Sequence, residues 1–390
     1  MTAASRVFIV AGEVSGDHQA ALLAAALRRQ HPGLVLSGVG GGEMRAAGVE
    51  VLLDTTRWGI IGYLEAYTRL PLFAVRFWRL ARLIERSRPD LIVLVDFPGM
   101  NRELVRHFSG RVPMVYFFPP QTYGRRGRSA ARMARAHVRL LAVLPFEADA
   151  YRRAGADVVF VGHPAVDAAA AVPGSTHRLR EELGIDPGLV VGLLPGSRVQ
   201  EVRSLLPPML EGARQLQASL GVQLVLPLAS DHLRGDVQKA VAAAGIPVHL
   251  VEGRALDVMR AADAIVVASG TAPVEAACIG VPMVVVYRLS PVTWWIGLHL
   301  VSTPGVLDVG IAIPSILRGH KVVPELLQNA VTGTRIRAEV ERLLTDPAAR
   351  DQMLKDLLEA RRQLGNPGVL DRAAREVLRA LDSRQVGTVR

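Results

Sequence analysis

Cys278 is the only cysteine in 390 residues. That excludes an internal disulfide and a structural zinc site built on thiolates, and it suits a reduced, intracellular setting. Aromatic residues are scarce at 5%, too few for the stacking platforms that grip single-stranded nucleic acid. No uninterrupted apolar run approaches the roughly 18 residues that a membrane span requires. The first apolar stretch, Val7 to Ala11, stops before Glu13 and is too short for a signal peptide. HxH and HExxH spacings are missing, as are clustered carboxylate–histidine patterns, so no metal is expected. Acidic residues are the minority, 36 Asp+Glu against 46 Lys+Arg, a net charge of +10. Such a balance suits a polyanion: nucleic acid, an anionic membrane face or a phosphorylated substrate. The excess is mostly arginine, which also arises as plain surface composition. No nucleic-acid-binding module accompanies the charge, so nucleic acid is not expected as a partner.

What is present is a folded chain, with 50% apolar and 21% charged residues and enough length for two or three domains. Short apolar runs alternate with helical patterns. Val7–Val10, Leu34–Leu36, Leu91–Val95, Met114–Phe118, Leu140–Leu144 and Val158–Val161 read as a first series of strands. Gly12 and Gly16 read as a turn before a helix from about His18 to Arg29. Runs without polar alternation, separated by helices, indicate a parallel sheet covered on both faces. Ala171–Thr176 reads as a linker. A second series follows: Val190–Leu194, Val222–Leu226, Val248–Val251, Ala264–Ala268 and Pro282–Tyr287. From about Ile336 the chain is helical and arginine-rich. The expectation is α/β: two doubly wound, Rossmann-like domains facing across a cleft, residues 1–170 and 171–390, with a helical C-terminal segment whose last helix is free to pack back on the first domain. In such sheets ligands sit beyond the carboxyl ends of the strands.

Two turns in the second domain suit a diphosphate. Leu194-Pro195-Gly196-Ser197-Arg198 follows a buried strand and opens a helix. Glycine permits close backbone approach, the helix start offers N–H groups and the positive dipole end, and Arg198 adds a cationic fork. The plain alternative is a strand–helix turn capped by Ser197. Ala268-Ser269-Gly270-Thr271, with Glu275 a turn later, repeats the pattern. Glu275 suits ribose hydroxyls or, more simply, dipole compensation. Together the two turns fit a nucleoside diphosphate.

In the first domain, Ala11-Gly12-Glu13-Val14-Ser15-Gly16-Asp17 is not the spaced dinucleotide fingerprint. Its carboxylates would repel a pyrophosphate and suit sugar hydroxyls or proton abstraction, so Glu13 joins the catalytic candidates and Ser15 and Asp17 the sugar-binding ones. Asp96 closes the strand Leu91–Val95, placed either for general-base work or to cap the next helix. His163, after the last strand of the series, suits a sugar hydroxyl or a structural bond.

Two segments look basic and amphipathic. In Phe73–Arg88 an apolar stripe of Phe73, Phe77, Leu80 and Ile84 accompanies Arg76, Arg79, Arg82 and Arg86. In Arg128–Arg139 arginines recur at 128, 132, 135 and 139. Either could lie on anionic lipid or simply cover a sheet. Trp294 and Trp295 in the apolar stretch Pro291–Leu298 suit a bilayer interface, an acyl groove or a core.

These pieces in this order resemble lipid-A-disaccharide synthases over nearly the whole chain. The matching segments are Ala11–Asp17, Gly38–Gly41, Gly59–Glu65, Pro89-Asp90 with Asp96, Leu144–Glu147, Gly162-His163-Pro164, Leu194–Arg198, Ala268–Thr271 with Glu275, Tyr287-Arg288 with Pro291, and Glu325–Gln328. The resemblance implies a GT-B-type inverting glycosyltransferase. It would move 2,3-diacylglucosamine from UDP to 2,3-diacylglucosamine 1-phosphate, releasing UDP and forming a β(1→6) disaccharide. It further implies no cofactor and no metal, and a cytoplasmic protein peripheral on the inner membrane, while leaving a homodimer open. Asp96 falls on the family's essential aspartate. Gly196, Ser197, Arg198, Ser269, Gly270, Thr271 and Glu275 would hold UDP; Ser15, Asp17, Asn101, His163 and Gln328 would meet the acceptor. The chain departs from the family at Thr122-Tyr123-Gly124-Arg125, where two tryptophans are usual, at Gly99 and Ser315, and in a long Val306–Ile313. An isomerase like the UDP-N-acetylglucosamine 2-epimerases, or a transferase of this fold with another lipid acceptor, is the alternative.

Overall fold

The structure is a computed structural model that describes residues 4–56, 58, 70–120, 127–172, 174–290, 294 and 306–387. The chain forms two compact units. Unit 1 contains residues 1–164, 292–303 and 364–390, and unit 2 contains residues 165–291 and 304–363. The break falls after Pro164 and not at 170/171, because the segment 165–171 is a helix that packs within unit 2.

Unit 1 is built from β1 (Arg6–Ala11), α1 (Glu13–Gln30), β2 (Val35–Gly40), α2 (Gly42–Ala46), β3 (Glu50–Asp54), α3 (Leu70–Ser87), β4 (Leu91–Val95), α4 (Pro98–Phe108), β5 (Met114–Phe117), α5 (Gly127–Arg135), β6 (Arg139–Ala142), α6 (Pro145–Arg153) and β7 (Val158–Phe160). Its seven strands run in the order β3-β2-β1-β4-β5-β6-β7, all parallel. Phe8, Val10, Ile92 and Leu94 pack with Leu80 and Ile84 of α3 and Met100, Leu104 and Phe108 of α4. The unit is completed from the far end of the chain: the last helix, Val369–Gly387, lies on α1 and on β4 to β6. Arg29 bonds Asp371 at 2.9 Å there, and Arg139 of β6 pairs with Glu376. Gly38 lies beside Ile9 in the β1–β2 register, where any Cβ would run into the Ile9 carbonyl.

Unit 2 follows with α7 (Ala165–Ala171), α8 (Thr176–Glu182), β8 (Val190–Leu194), α9 (Val199–Leu220), β9 (Gln223–Leu228), α10 (Arg234–Ala244), β10 (His249–Glu252), α11 (Ala255–Ala261), β11 (Ala264–Ala268), α12 (Ala272–Ile279), β12 (Met283–Tyr287), α13 (Val306–Val309), α14 (Ile313–Arg318), β13 (Glu325–Leu327), α15 (Gly333–Thr345) and α16 (Pro347–Gln363). The strand order is β10-β9-β8-β11-β12-β13. Every strand of the core run is buried along its length from Val190 to Leu194 and from Ala264 to Ala268. That explains their unbroken apolar sequence.

Both sheets share one property. Strand order reverses between β1 and β4 in unit 1 and between β8 and β11 in unit 2. Doubly wound sheets bind ligands outside the carboxyl ends of the strands at such a reversal.

Several expectations shift. The first helix begins at Glu13, so Gly16 and Asp17 lie inside it and not in a turn. Edge strands β3 and β13 join the sheets although neither reads as a strand in sequence. Arg139 is on β6, not on the basic helix, which ends at Arg135. Gly59–Glu65, Thr122–Arg125 and Trp295 lie outside the described residues, as does most of Pro291–Leu298.

Candidate active site

At the unit 1 reversal, Ala11 pairs with Val95 and both strands end together. The chain then turns through left-handed backbone on both sides: Glu13 has φ 58°, Asp96 48° and Phe97 54°. Non-glycine residues held there cost about 1–3 kcal/mol each and persist only where the surroundings over-determine them. The surroundings are visible. Gly12 lies against the Phe97 ring so closely that it has no room for a Cβ. Gly16 brings α1 near the Val95 carbonyl and the Asp96 side chain. Thr55, fully buried, donates to the Ala11 carbonyl at 2.6 Å. Asp96 N–H donates to the Phe117 carbonyl at 3.1 Å. The N-cap of α4 is Phe97, without a side-chain cap. The Asp96 side chain is half-buried, and its charge, after burial itself, helps raise the buried Tyr116 phenol well above its usual range.

At the unit 2 reversal the turns are open. Gly196 has φ 106° and stands against the Glu201 side chain. Ser197 is exposed and is not the cap of α9; Arg198 is. Arg198 N–H reaches Glu201 at 3.4 Å, and its guanidinium bonds the same carboxylate at 3.1 Å. A capping carboxylate thus orients the arginine at the helix start. Ser269 N–H extends the sheet to the Val286 carbonyl at 3.0 Å. Gly270, φ 150°, and Thr271 are exposed, and Glu275 follows in the first turn of α12. Burial raises the Tyr287 phenol; Glu201 raises it further and Arg198 lowers it, so β12 ends beside this pair. The residues named for UDP thus occupy one end of one sheet.

Asp17, Asn101 and Gln328, named for the acceptor, bond backbone groups with their side chains. Asp17 is buried, and its carboxylate accepts from Gly41, Glu43 and Met44 N–H at 2.7, 3.0 and 3.2 Å. It holds the start of α2 in place. Asn101 is fully buried and donates to the Asp96 carbonyl at 2.5 Å. Gln328 forms a two-way amide pair with Leu289, accepting from its N–H at 2.8 Å and donating to its carbonyl at 3.2 Å. His163 is buried with its ring edge-on to Phe118, centroids 5.7 Å apart. Its backbone N–H bonds the Leu364 carbonyl at 2.9 Å, and burial pushes the imidazole pKa down to about 4. Ser15 is exposed and Glu13 half-buried at the start of α1.

Of the departures, Gly99 meets open space, and Ser315 is buried with its hydroxyl accepting from Val322 N–H at 3.2 Å. The long segment after Val306 is tied by Glu325, whose carboxylate accepts from Ile311 and Ala312 N–H.

Sequence reasoning gave no role to three polar groups. Tyr116 carries the one polar tip in a buried apolar strand, which was a usable signal. Arg288 binds the Ser204, Gln328 and Val331 carbonyls at 3.0, 3.4 and 2.7 Å, locking β12 to its surroundings. Glu147, in the first turn of α6, is buried with Oε1 unpartnered, and burial raises its pKa to about 8. Among the described residues, no group of three or more His, Cys, Asp or Glu could hold a metal ion, and no helix is long and apolar enough to cross a membrane.

Comparison with known proteins decides the lineage. Residues 7–377 match the family described as lipid-A-disaccharide synthetase. The chain is 40% identical to the lipid-A-disaccharide synthase of Myxococcus xanthus, over 99% of this chain and 100% of that one. The chain belongs to the lipid-A-disaccharide synthase family. The synthase of Geobacter sulfurreducens is 39% identical over 96% of this chain and 97% of its own. Solved structures agree on the architecture. A UDP-N-acetylglucosamine 2-epimerase from Neisseria meningitidis, bound to UDP-N-acetylglucosamine, has a TM-score of 0.61 at 13% identity, covering 97% of this chain and 100% of that one. MurG from Acinetobacter baumannii has a TM-score of 0.52 at 16% identity, covering 96% and 99%. At such identities the likeness is one of fold, so the epimerase does not compete with the synthase family for the activity. As a member of that family the chain is a glycosyltransferase of GT-B-like fold, acting on a UDP-sugar and a lipid-linked sugar phosphate.

Proposed function

We propose that Asp96 is the general base of the family's reaction, the transfer of 2,3-diacylglucosamine from UDP to the 6-hydroxyl of 2,3-diacylglucosamine 1-phosphate. The hydroxyl oxygen attacks the anomeric carbon from the face opposite UDP, the bond from that carbon to the diphosphate breaks, and the hydroxyl proton passes to the Asp96 carboxylate. One displacement inverts the anomeric centre and gives a β(1→6) linkage. The leaving diphosphate is stabilised by Arg198, Ser197 and the amides of the Gly270–Thr271 turn, oriented groups that need no rearrangement as charge develops. With those donors the reading needs no metal. Glu13 and Ser15, at the start of α1 and on the same strand reversal as Asp96, are placed for acceptor hydroxyls.

The observation that carries this reading is Asp96 itself: a half-buried carboxylate at the carboxyl end of β4, at the reversal of strand order and in a strained turn. The test is mass spectrometry of the product formed from diacylated UDP-glucosamine and the matching 1-phosphate. A disaccharide 1-phosphate is expected; hydrolysed donor alone, or an isomerised UDP-sugar, would overturn it.

We also place the enzyme on the cytoplasmic face of the inner membrane, through α3. The stripe of Phe73, Phe77, Leu80 and Ile84 faces the protein: Leu80 and Ile84 are fully buried and the two phenylalanines pack on the core. The opposite face is the candidate. It exposes Leu72, Val75 and Trp78, with Trp78 53% exposed, among exposed Arg79, Arg82 and Arg86. Apolar anchors between arginines suit anionic headgroups. Sedimentation with vesicles containing anionic lipid should pellet the protein, and a Val75→Ser/Trp78→Ser variant should stay largely in the supernatant. Equal behaviour of the two would remove α3 from the interface.

A further inference from the structure

We infer that Tyr116 and Asn101 act together as positioning residues for Asp96, by clamping the carbonyl of the same residue whose carboxylate takes the proton. The inference rests on Asp96 being the base. The Asp96 carbonyl oxygen receives two side-chain donors: the Tyr116 hydroxyl at 2.8 Å and Asn101 Nδ2 at 2.5 Å. Tyr116 comes from β5 and Asn101 from the first turns of α4, and both are fully buried. On the other side of the residue, Asp96 N–H is held by the Phe117 carbonyl at 3.1 Å. Both peptide groups of Asp96 are therefore fixed from neighbouring elements.

Such fixing answers a specific need. Asp96 and Phe97 are consecutive non-glycine residues in left-handed backbone, with φ 48° and 54°. Left to itself a residue leaves that region for a conformation of lower energy. Leaving would rotate the peptide between Asp96 and Phe97 and swing the carboxylate with it. Two hydrogen bonds to one carbonyl, made away from water, oppose that swing. The carbonyl has two lone pairs and both are used, so no water is needed to complete it. Tyr116 is also suited to the task because burial, with the Asp96 charge as the next cause, holds its phenol protonated far above neutral pH. It remains a donor throughout the working range.

The separating variant is Tyr116→Phe, which keeps the ring in the core and deletes one donor. The full chain is assayed with both diacylated substrates, alongside Asp96→Asn. Hydrogen exchange at the Asp96 amide is followed by mass spectrometry with fragmentation. The expected result is a fall in kcat of roughly 10- to 100-fold, the cost of a base displaced by about an ångström. Both KM values and UDP affinity should stay within about twofold, and the Asp96 amide should exchange faster. Asn101→Asp, which keeps the shape and loses the donor, should move the same quantities in the same direction. Unchanged exchange at Asp96 in Tyr116→Phe would overturn the clamp. Faster exchange with unchanged kcat would show that the clamp does not serve turnover. If Asp96→Asn stayed active, the assignment of the base would fail; a loss of kcat in Tyr116→Phe beside an active Asp96→Asn would mean Tyr116 acts by another route, which also overturns the inference. A melting curve of each variant separates these outcomes from partial unfolding.

Discussion

The two strand reversals solve opposite problems with opposite materials. In unit 1 the turn after β4 uses Asp96 and Phe97 in left-handed backbone, and the strain is held by the buried Tyr116 and Asn101 and by the half-buried Phe97 ring against Gly12. In unit 2 the corresponding turns use glycine, Gly196 and Gly270, where positive φ is cheap. The polar groups there, Ser197, Arg198, Gly270 and Thr271, are exposed. On the proposed reading, Asp96 as proton acceptor must be aimed within a fraction of an ångström, which suits a clamped backbone. The unit 2 turns would grip a diphosphate with several donors at once, which suits a backbone left open to the ligand.

The largest expected effect comes from removing the aimed group. Asp96→Asn keeps the size of the side chain and deletes its basicity, so turnover should fall by about a thousandfold or more, as general-base catalysis is worth roughly 10²–10⁴. UDP affinity should be nearly unchanged in calorimetry. Near-normal turnover would remove Asp96 from the mechanism and erase the contrast between the two turns. Arg198→Ala tests the other side. It should weaken UDP by about 1.5–3 kcal/mol, the range for a hydrogen bond to a charged group, and should spare the folding of the helix that Arg198 opens. Arg198→Lys should recover only part of this, because an ammonium lacks the planar fork. An unchanged UDP affinity in Arg198→Ala would place the phosphate elsewhere.

The same contrast explains what could be read in advance. Val7–Val10, Leu91–Val95, Val190–Leu194 and Ala264–Ala268 were legible because strands buried on both faces have no polar alternation. Glu50–Asp54 alternates between exposed and half-buried, and Glu325–Leu327 is short and begins with a charge. Edge strands carry that pattern because one side meets solvent, and it resembles a loop. Asp96 and the Leu194–Arg198 turn stood out because a polar residue directly after an apolar run is marked by its position. Asp17, Asn101 and Gln328 were ambiguous for a physical reason. A carboxylate or amide beside a turn looks the same in sequence whether it meets a sugar or the backbone; Asp17 and Gln328 find partners 24 and 39 residues away, and Asn101 donates to the Asp96 carbonyl five residues back. In α3 the spacing revealed two faces but not which one the sheet would take.

A smaller effect follows from two ionisable groups that unit 1 buries. Burial lifts the Glu147 pKa from 4.5 to about 8. Below pH 4.5 the folded and unfolded chains both carry that proton; between 4.5 and about 8 only the folded chain keeps it, so stability declines as pH rises through the window and levels off above. His163 runs the other way. Its pKa falls from 6.5 to about 4, so the unfolded chain takes up a proton first and stability declines as pH drops from 6.5 towards 4. Glu147→Gln removes the first slope and leaves the second. Thermal unfolding of the wild type should drop by roughly 2–3 °C between about pH 6.5 and 8, above the His163 window, and the variant should be nearly flat there. A variant that kept the full slope would show that another group, and not Glu147, carries the proton responsible for it.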